Sequence, residues 1–414
     1  MRRRTFLKTL SLSALPALTG CGVLKVDPWH VLLRSDLIDN MDQESKIVSK
    51  ARLEWTENGA IRVLYLKGSA YERGYQHGKL LQKEIQDNFN YMYKKLLSKY
   101  HFEELFDEAY ERIRPYLADE FVEEMHGLAH GSRMPLHVIH GIHALPSVTE
   151  WGGKKHVKEV VKMMMNGDLS TTCSNFMMRA SATSDGKMYV VRVLDWGLHR
   201  VSKLHEYPLL TVSYPERGIP NVNIGWVGFV GAVSGMNAEG ITLGEMGYGD
   251  PAGETMRGKP MVFLLREILN QAKSLKDVRH LISSSKGDMS FIYMFSDGKT
   301  GEAEMYVRDK DRFLVFKPGQ ELKDKDNDLP AIKDMVYGGH YPDRMHQCLQ
   351  ENQGKLTPEI LMRDVIPKVA MPSNFQNVIY DPKDLKFWVA NAKSREDPAF
   401  GQPYTFFDFG KVLR

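Results

Sequence analysis

Cysteine is scarce in this chain. Three in 414 residues, Cys21, Cys173 and Cys348, are too few for a disulfide framework, so a stapled scaffold is excluded and each thiol needs its own explanation. Charge of one sign is also missing. Lys and Arg number 55 against 52 Asp and Glu, a net +3, and no basic stripe interleaves with aromatics, which excludes nucleic acid as a partner. No low-complexity tract and no internal repeat interrupts the chain. What is present is an ordinary globular composition, 43% hydrophobic and 26% charged, long enough to bury a large core in one or two domains.

The N-terminus has the layout of an export signal. Arg2-Arg3-Arg4-Thr5-Phe6-Leu7-Lys8 precedes an apolar stretch that ends Leu18-Thr19-Gly20-Cys21 and is too short to span a bilayer as a mature helix. The basic part resembles a twin-arginine signal, and Leu-Thr-Gly-Cys resembles a bacterial lipobox. Residues 1–21 are therefore expected to be a signal peptide cut before Cys21, which would carry the lipid. Residues 22–60, without strong periodicity, are expected to form a tether. The mature protein is expected in the bacterial cell envelope, held to a membrane through that lipid.

Residues 61–172 read as mainly helical. Ile61–Leu66 is a strand by its β-branched and apolar content, after which helical spacing persists with breaks to about Ala144. Gly74 and Gly78 stand four apart and share a helix face, where they permit close backbone approach. After Cys173 the character changes. Short β-rich runs follow at Met188–Leu194, Leu209–Tyr214, Val222–Val227, Ile241–Glu245, Phe291–Phe295, Glu302–Val307, Phe313–Phe316, Val378–Tyr380 and Lys386–Ala390. Helices are expected at Pro260–Ala272, Leu275–Ser283, Tyr341–Gln350 and Pro358–Lys368. Strand runs separated by helix pairs suit an α+β fold, two antiparallel sheets face to face with helices outside. Cys348 falls on a helical pattern and reads as a buried helix residue.

Cys173 is different, because small polar residues surround it. Thr171 to Trp196, TTCSNFMMRASATSDGKMYVVRVLDW, reads as a β-hairpin with turn chemistry at Thr183-Ser184-Asp185-Gly186. Folding back brings Arg192 and Asp195 towards Cys173. Three apart on a strand, the two point to opposite faces unless the strand bends or ends between them. A cation beside a thiol favours the thiolate, and a carboxylate holds the nucleophile's proton partner in place.

Asp185-Gly186-Lys187-Met188-Tyr189 followed by Arg192-Val193-Leu194-Asp195-Trp196 resembles the D-G-x-x-Y and R-N-L-D-W blocks of the N-terminal-nucleophile (Ntn) hydrolases, in the choloylglycine hydrolase and isopenicillin-N acyltransferase-like group. Val193 replaces the Asn. Gly68–Gly78 and Glu124–Gly131 are similar to segments that precede the nucleophile in the same group. The likeness runs from about Gly68 to about Asn391. It implies a four-layer αββα sandwich, residues 173–414, behind a helical prosegment, residues 61–172, with cleavage between Thr172 and Cys173 and the two pieces staying associated. Cys173 would be the nucleophile and its freed α-amine, with a reference pKa near ~7.7–8.0, the base. Arg192 and Asp195 would hold the thiol and the amine.

The likeness also implies oxyanion donors. The N-E-x-G-L stretch, here Asn237-Ala238-Glu239-Gly240-Ile241, maps a backbone N–H near Met246 or Gly247, and Asn237 itself reads as a turn residue. The group's second donor, an Asn in T-N-x, meets Gly in Val336-Tyr337-Gly338-Gly339-His340-Tyr341, so His340 or Asn374 would have to substitute. No Arg stands in the 372–377 stretch where bile-salt hydrolases have one, which disfavours that substrate. No cofactor and no metal is expected. His126 and His130 stand one helical turn apart as in H-E-x-x-H, but Gly127 replaces the Glu such chemistry needs. Three readings follow, in order: a cysteine amidohydrolase or acyltransferase acting on a small N-acyl or lipid-like substrate, a phospholipase B-like lipid esterase, and a non-catalytic surface lipoprotein.

Overall fold

The computed structural model describes residues 41–100, 103–155, 171–198, 202–247, 257–287, 290–309, 311–324 and 327–414. The signal, the lipobox and Cys21 lie outside them. Residues 1–46 and 47–414 are separate units, and the fold below is that of the second.

Among the described residues seventeen strands form its sheets, β1 to β17 in chain order. The expected tether gives way early, because β1 (Arg52–Trp55) pairs antiparallel with β2 (Arg62–Gly68). In turn β2 pairs in parallel with β5 (Pro208–Pro215). The strand of segment 61–172 thus lies within a sheet built mostly from residues beyond 173. That sheet runs β1-β2-β5-β6-β7-β8-β9-β10-β11, with β6 at Asn221–Trp226, β7 at Gly235–Asn237, β8 at Ile241–Gly247, β9 at Phe291–Asp297, β10 at Glu302–Arg308 and β11 at Phe313–Phe316. A second sheet runs β14-β3-β4-β15-β16-β17. Its strands are β3 (Thr171–Met178), β4 (Tyr189–Trp196), β14 (Met335–Gly339), β15 (Asn374–Asp381), β16 (Lys386–Asn391) and β17 (Thr405–Asp408). A short ribbon, β12 (Leu322–Asp324) with β13 (Asn327–Leu329), stands apart.

The two sheets pack face to face, β3 and β4 against β8. Outside them lie helices, so the layers run α, β, β, α as the strand and helix order implies. Between β2 and Cys173 the described residues form α1 (Ala70–Leu80), α2 (Gln82–Tyr100), α3 (Glu103–Ile113), α4 (Asp119–Ser132) and α5 (Leu136–Lys155). On the nine-stranded sheet lie α6 (Met261–Gln271) and α7 (Leu275–Ser284). Against the other sheet lies α8 (Pro342–Glu351), next to a helical stretch 358–369 that widens into a π-turn at Leu361–Val365.

Local chemistry explains why α1 starts where it does. Ser69 and Glu72 form a capping box, each side chain bonding the other's backbone N–H. The helix then packs backbone to backbone on α4. A Cβ on Gly127 would lie 2.1 Å from the Tyr71 carbonyl oxygen, and one on Gly74 would lie 1.9 Å from that of Glu124. Only glycine permits this approach. Within the same layer Glu124 accepts from Arg73 at 3.1 Å and from Arg266 of α6 at 3.4 Å, all three side chains buried. Two buried histidines complete the join, His77 Nε2 accepting the Gly228 N–H and His143 Nε2 the Val230 N–H, each at 2.9 Å.

Candidate active site

The site is built by register. In the β3–β4 hairpin Cys173 stands opposite Leu194, Asn175 opposite Arg192, and Thr172 opposite Asp195. Side chains alternate along a strand, so Cys173, Asn175, Leu194 and Arg192 share the face turned to β8, and Asp195 lies on the other. Contacts bear this out. A Cβ added to Gly244 of β8 would fall 2.4 Å from Asn175 Oδ1 and 2.9 Å from Arg192 Cδ. Gly244 therefore provides the room in which the arginine and the amide lie.

On the inner face, Cys173 is 4% exposed. Burial pushes its thiol up to about 12, with Arg192 opposing. Arg192 is fully enclosed and ion-paired. Its Nη2 donates to Glu245 Oε1 at 2.6 Å and its Nη1 to the Val193 carbonyl at 2.9 Å. Burial disfavours the guanidinium, but the thiol and Glu245 outweigh it and hold its pKa above the usual value. Glu245 sits above the ordinary carboxylate range, since burial exceeds the pull of Arg192. Asn175 is 1% exposed, and neither its Nδ2 nor its Oδ1 has a partner among the described residues. An unmatched buried polar group of this kind costs about 1–3 kcal/mol.

On the outer face, Asp195 Oδ1 accepts from Asn374 Nδ2 at 3.0 Å and from the Met371 N–H at 3.2 Å. Its Oδ2 is buried with no partner among the described residues. Burial raises the carboxyl to about 7 against the two donors. The uncleaved strand thus carries a carboxyl beside the Thr172 backbone that is only half matched.

A small apolar pocket lies at the end of β4, and Cys173 is not among its lining residues. Trp196, Trp226, Phe229, Val233, Val262 and Pro146 line it, and Trp196 shares the face of Leu194 two residues along β4. The two tryptophan rings meet edge on, 6.4 Å apart. Along the shared face Cys173 thus falls between the Trp196 position and the Arg192–Asn175 pair.

The remaining candidates scatter. Met246 is buried with its side chain against Gly338, and Gly247 ends β8. His340 is exposed one residue past the Gly339–Ser174 pair and packs on Tyr341, ring centroids 4.6 Å apart. Asn374 does not face the thiol. Besides Asp195, its Nδ2 reaches the Leu194 carbonyl at 3.2 Å and Asn377 at 2.9 Å, so this amide orients the carboxyl. Asn237 bonds the Leu269 and Ala272 carbonyls and its own turn. Cys348 donates to the Asp364 carbonyl from within α8. Sequence reasoning passed over Asn175, Gly244 and Glu245. The period of two along β3 was signal enough for Asn175, whereas Glu245 shows only once the sheets are stacked.

No family model matches the chain. An uncharacterized protein of Archaeoglobus fulgidus is 30% identical over 269 residues, 58% of this chain, and the match spans only 42% of that relative's length. Protein dcd1B of Dictyostelium discoideum is 22% identical over 367 residues, 81% of this chain and 69% of that protein. Among solved structures, a Caenorhabditis elegans ortholog of N-acylethanolamine-hydrolyzing acid amidase aligns with a TM-score of 0.40 at 12% identity, over 51% of this chain and 93% of its own. A mutant of the conjugated bile acid hydrolase from Clostridium perfringens aligns at 0.36 and 14%, over 58% and 93%.

Proposed function

We propose that this chain is a self-processing cysteine Ntn enzyme that hydrolyses or transfers the acyl group of an N-acyl amide. One observation carries the reading. Cys173 and Arg192 share the buried face between the sheets, while Asp195, with an unmatched Oδ2, stands across from Thr172. The carboxyl is thus beside the backbone where cleavage would free an α-amine, and a Cys173 ammonium would fill the empty acceptor.

In processing, the Cys173 sulfur adds to the Thr172 carbonyl carbon, the C–N bond breaks, and the departing nitrogen takes the thiol's proton. Water then hydrolyses the thioester, leaving a Thr172 carboxylate and a free Cys173 amine and thiol. In turnover that amine draws the thiol proton as sulfur attacks the substrate carbonyl, and passes it to the leaving nitrogen when the C–N bond breaks. Water or a second amine takes the acyl group from sulfur. Before cleavage no α-amine exists to draw the thiol proton, so turnover waits on the new terminus.

The Trp196–Trp226 pocket favours an apolar acyl group. Because β2 and β5 are neighbours in one sheet, the two pieces would stay together after the cut. Export, with a lipid on Cys21 and residence in the cell envelope, belongs to the same proposal and rests on the signal pattern alone.

Intact-mass measurement of purified protein tests it. Two chains divided at Cys173 are expected, with a single uncut chain for Cys173→Ala. An uncut wild type, or a Cys173→Ala protein still divided there, would overturn the reading.

A further inference from the structure

We propose that the side-chain amide of Asn175 is the oxyanion donor of this site, standing in for the Asn that the 336–341 stretch lacks. The inference rests on the cysteine reading above and adds to it the residue that meets the substrate's oxygen.

Three observations converge. First, Asn175 lies two residues along β3 from Cys173 on the same face, directly opposite Arg192. Secondly, its amide is 1% exposed and both polar atoms are without partners, the only buried Asn or Gln among the described residues in that condition. Other amides near the hairpin are occupied, since Asn374 serves Asp195 and Asn377 bonds back to Asn374. Thirdly, the residue facing Asn175 from β8 is Gly244, and a side chain there would strike Oδ1, so only glycine leaves the amide its place on this face.

The arrangement fixes a direction for the substrate. With the acyl chain in the Trp196 pocket and its carbonyl carbon at Sγ, the carbonyl oxygen turns towards Asn175. As the S–C bond forms, the C=O π pair moves onto that oxygen and the Nδ2–H donates to it. Collapse of the intermediate restores the C=O and expels the amine, which takes the proton held by the Cys173 amine. Arg192 is tied to Glu245 and lends its charge to the sulfur, leaving the amide as the neutral donor.

The test separates carbonyl chemistry from thiol access. Wild type, Asn175→Asp and Asn175→Ala are treated with a long-chain β-lactone, which acylates sulfur through an oxyanion, and separately with iodoacetamide, which alkylates it by displacing iodide with no oxyanion. Intact mass gives both rates. Both variants are expected to lose about 10²–10³-fold in acylation, the usual effect of removing one oxyanion donor, while alkylation stays within about threefold. Melting temperatures should stay close to wild type for Asn175→Ala, since the amide makes no bonds to lose. Acylation unchanged in both variants would overturn the role of Asn175 and leave the nucleophile standing. Equal losses of acylation and alkylation would overturn it too, by marking a structural residue. A wild type that neither reagent modifies at Cys173 would remove the cysteine reading and this proposal with it.

Discussion

Two buried polar regions of this molecule are handled in opposite ways. In the helical layer Glu124 accepts from both Arg73 and Arg266, and His77 and His143 each accept a loop N–H. Backbones there approach so closely that only glycine fits. Across the β3–β4 hairpin, Asn175 and Asp195 Oδ2 are buried without partners among the described residues, beside a thiol whose pKa burial raises. The ion pairs of the helical layer are matched to one another, although Arg73 Nε and Arg266 Nε stay without a partner among the described residues, whereas at the hairpin a whole side-chain amide is left unmatched.

The largest effect should come from the helical layer. Gly127→Val adds a branched side chain where even Cβ would lie 2.1 Å from the Tyr71 carbonyl oxygen, and backbone on both sides cannot give. Loss of more than about 4 kcal/mol is expected, read as failure to yield soluble, cooperatively melting protein. A stable Gly127→Val variant would mean that α1 and α4 are not in this contact. Next comes the ion pair of the hairpin. Arg192→Ala leaves Glu245 buried and unpaired and should lower stability by roughly 3–5 kcal/mol in denaturant unfolding. Replacing both partners, Arg192→Met with Glu245→Leu, should recover most of that stability while the thiol stays inert. If the double variant keeps its reactivity, Arg192 has no part in activating Cys173.

How much of this was legible beforehand differs between the same two regions. Gly74 and Gly78 four apart announced a close helix contact, and the β3–β4 hairpin with Cys173, Arg192 and Asp195 could be drawn from alternation and turn residues. The layer order followed from strand and helix runs. What escaped were features made by stacking. Met335–Gly339 ends in two glycines and lacks a strand's composition, so β14 went unread, yet those glycines flank the thiol's strand. Residues 52–55 read as tether because the stretch 22–60 lacks strong periodicity, although they pair along β2. Asn374 reads as a free amide until the register puts Asp195 against it. Glu245 meets Arg192 only across two sheets, 53 residues away in sequence.

The smallest effects sharpen the comparison most, because the two regions should answer pH with opposite signs. His77 and His143 are pressed down to about 4 by burial, with Glu124 pulling both the other way. A histidine whose pKa falls on folding is protonated first in the unfolded chain, so its stability is full above about 6.5 and is lost as pH falls towards 4. Asp195 is raised to about 7. Its contribution is full below about 4 and is lost as pH rises through 7, while the chain remains uncleaved. Between pH 7.5 and 5.5 each histidine should remove about 1.4 kcal/mol of stability and Asp195 should return roughly 2 kcal/mol. Unfolding of Cys173→Ala protein at the two pH values measures the sum. Adding Asp195→Asn should steepen the loss on acidification, and adding His143→Gln, which keeps an acceptor for the Val230 N–H, should turn it into a small gain. A shift of the same sign from both additions would mean that the carboxyl is already charged before the strand is cut, and that no ammonium is needed to settle it there.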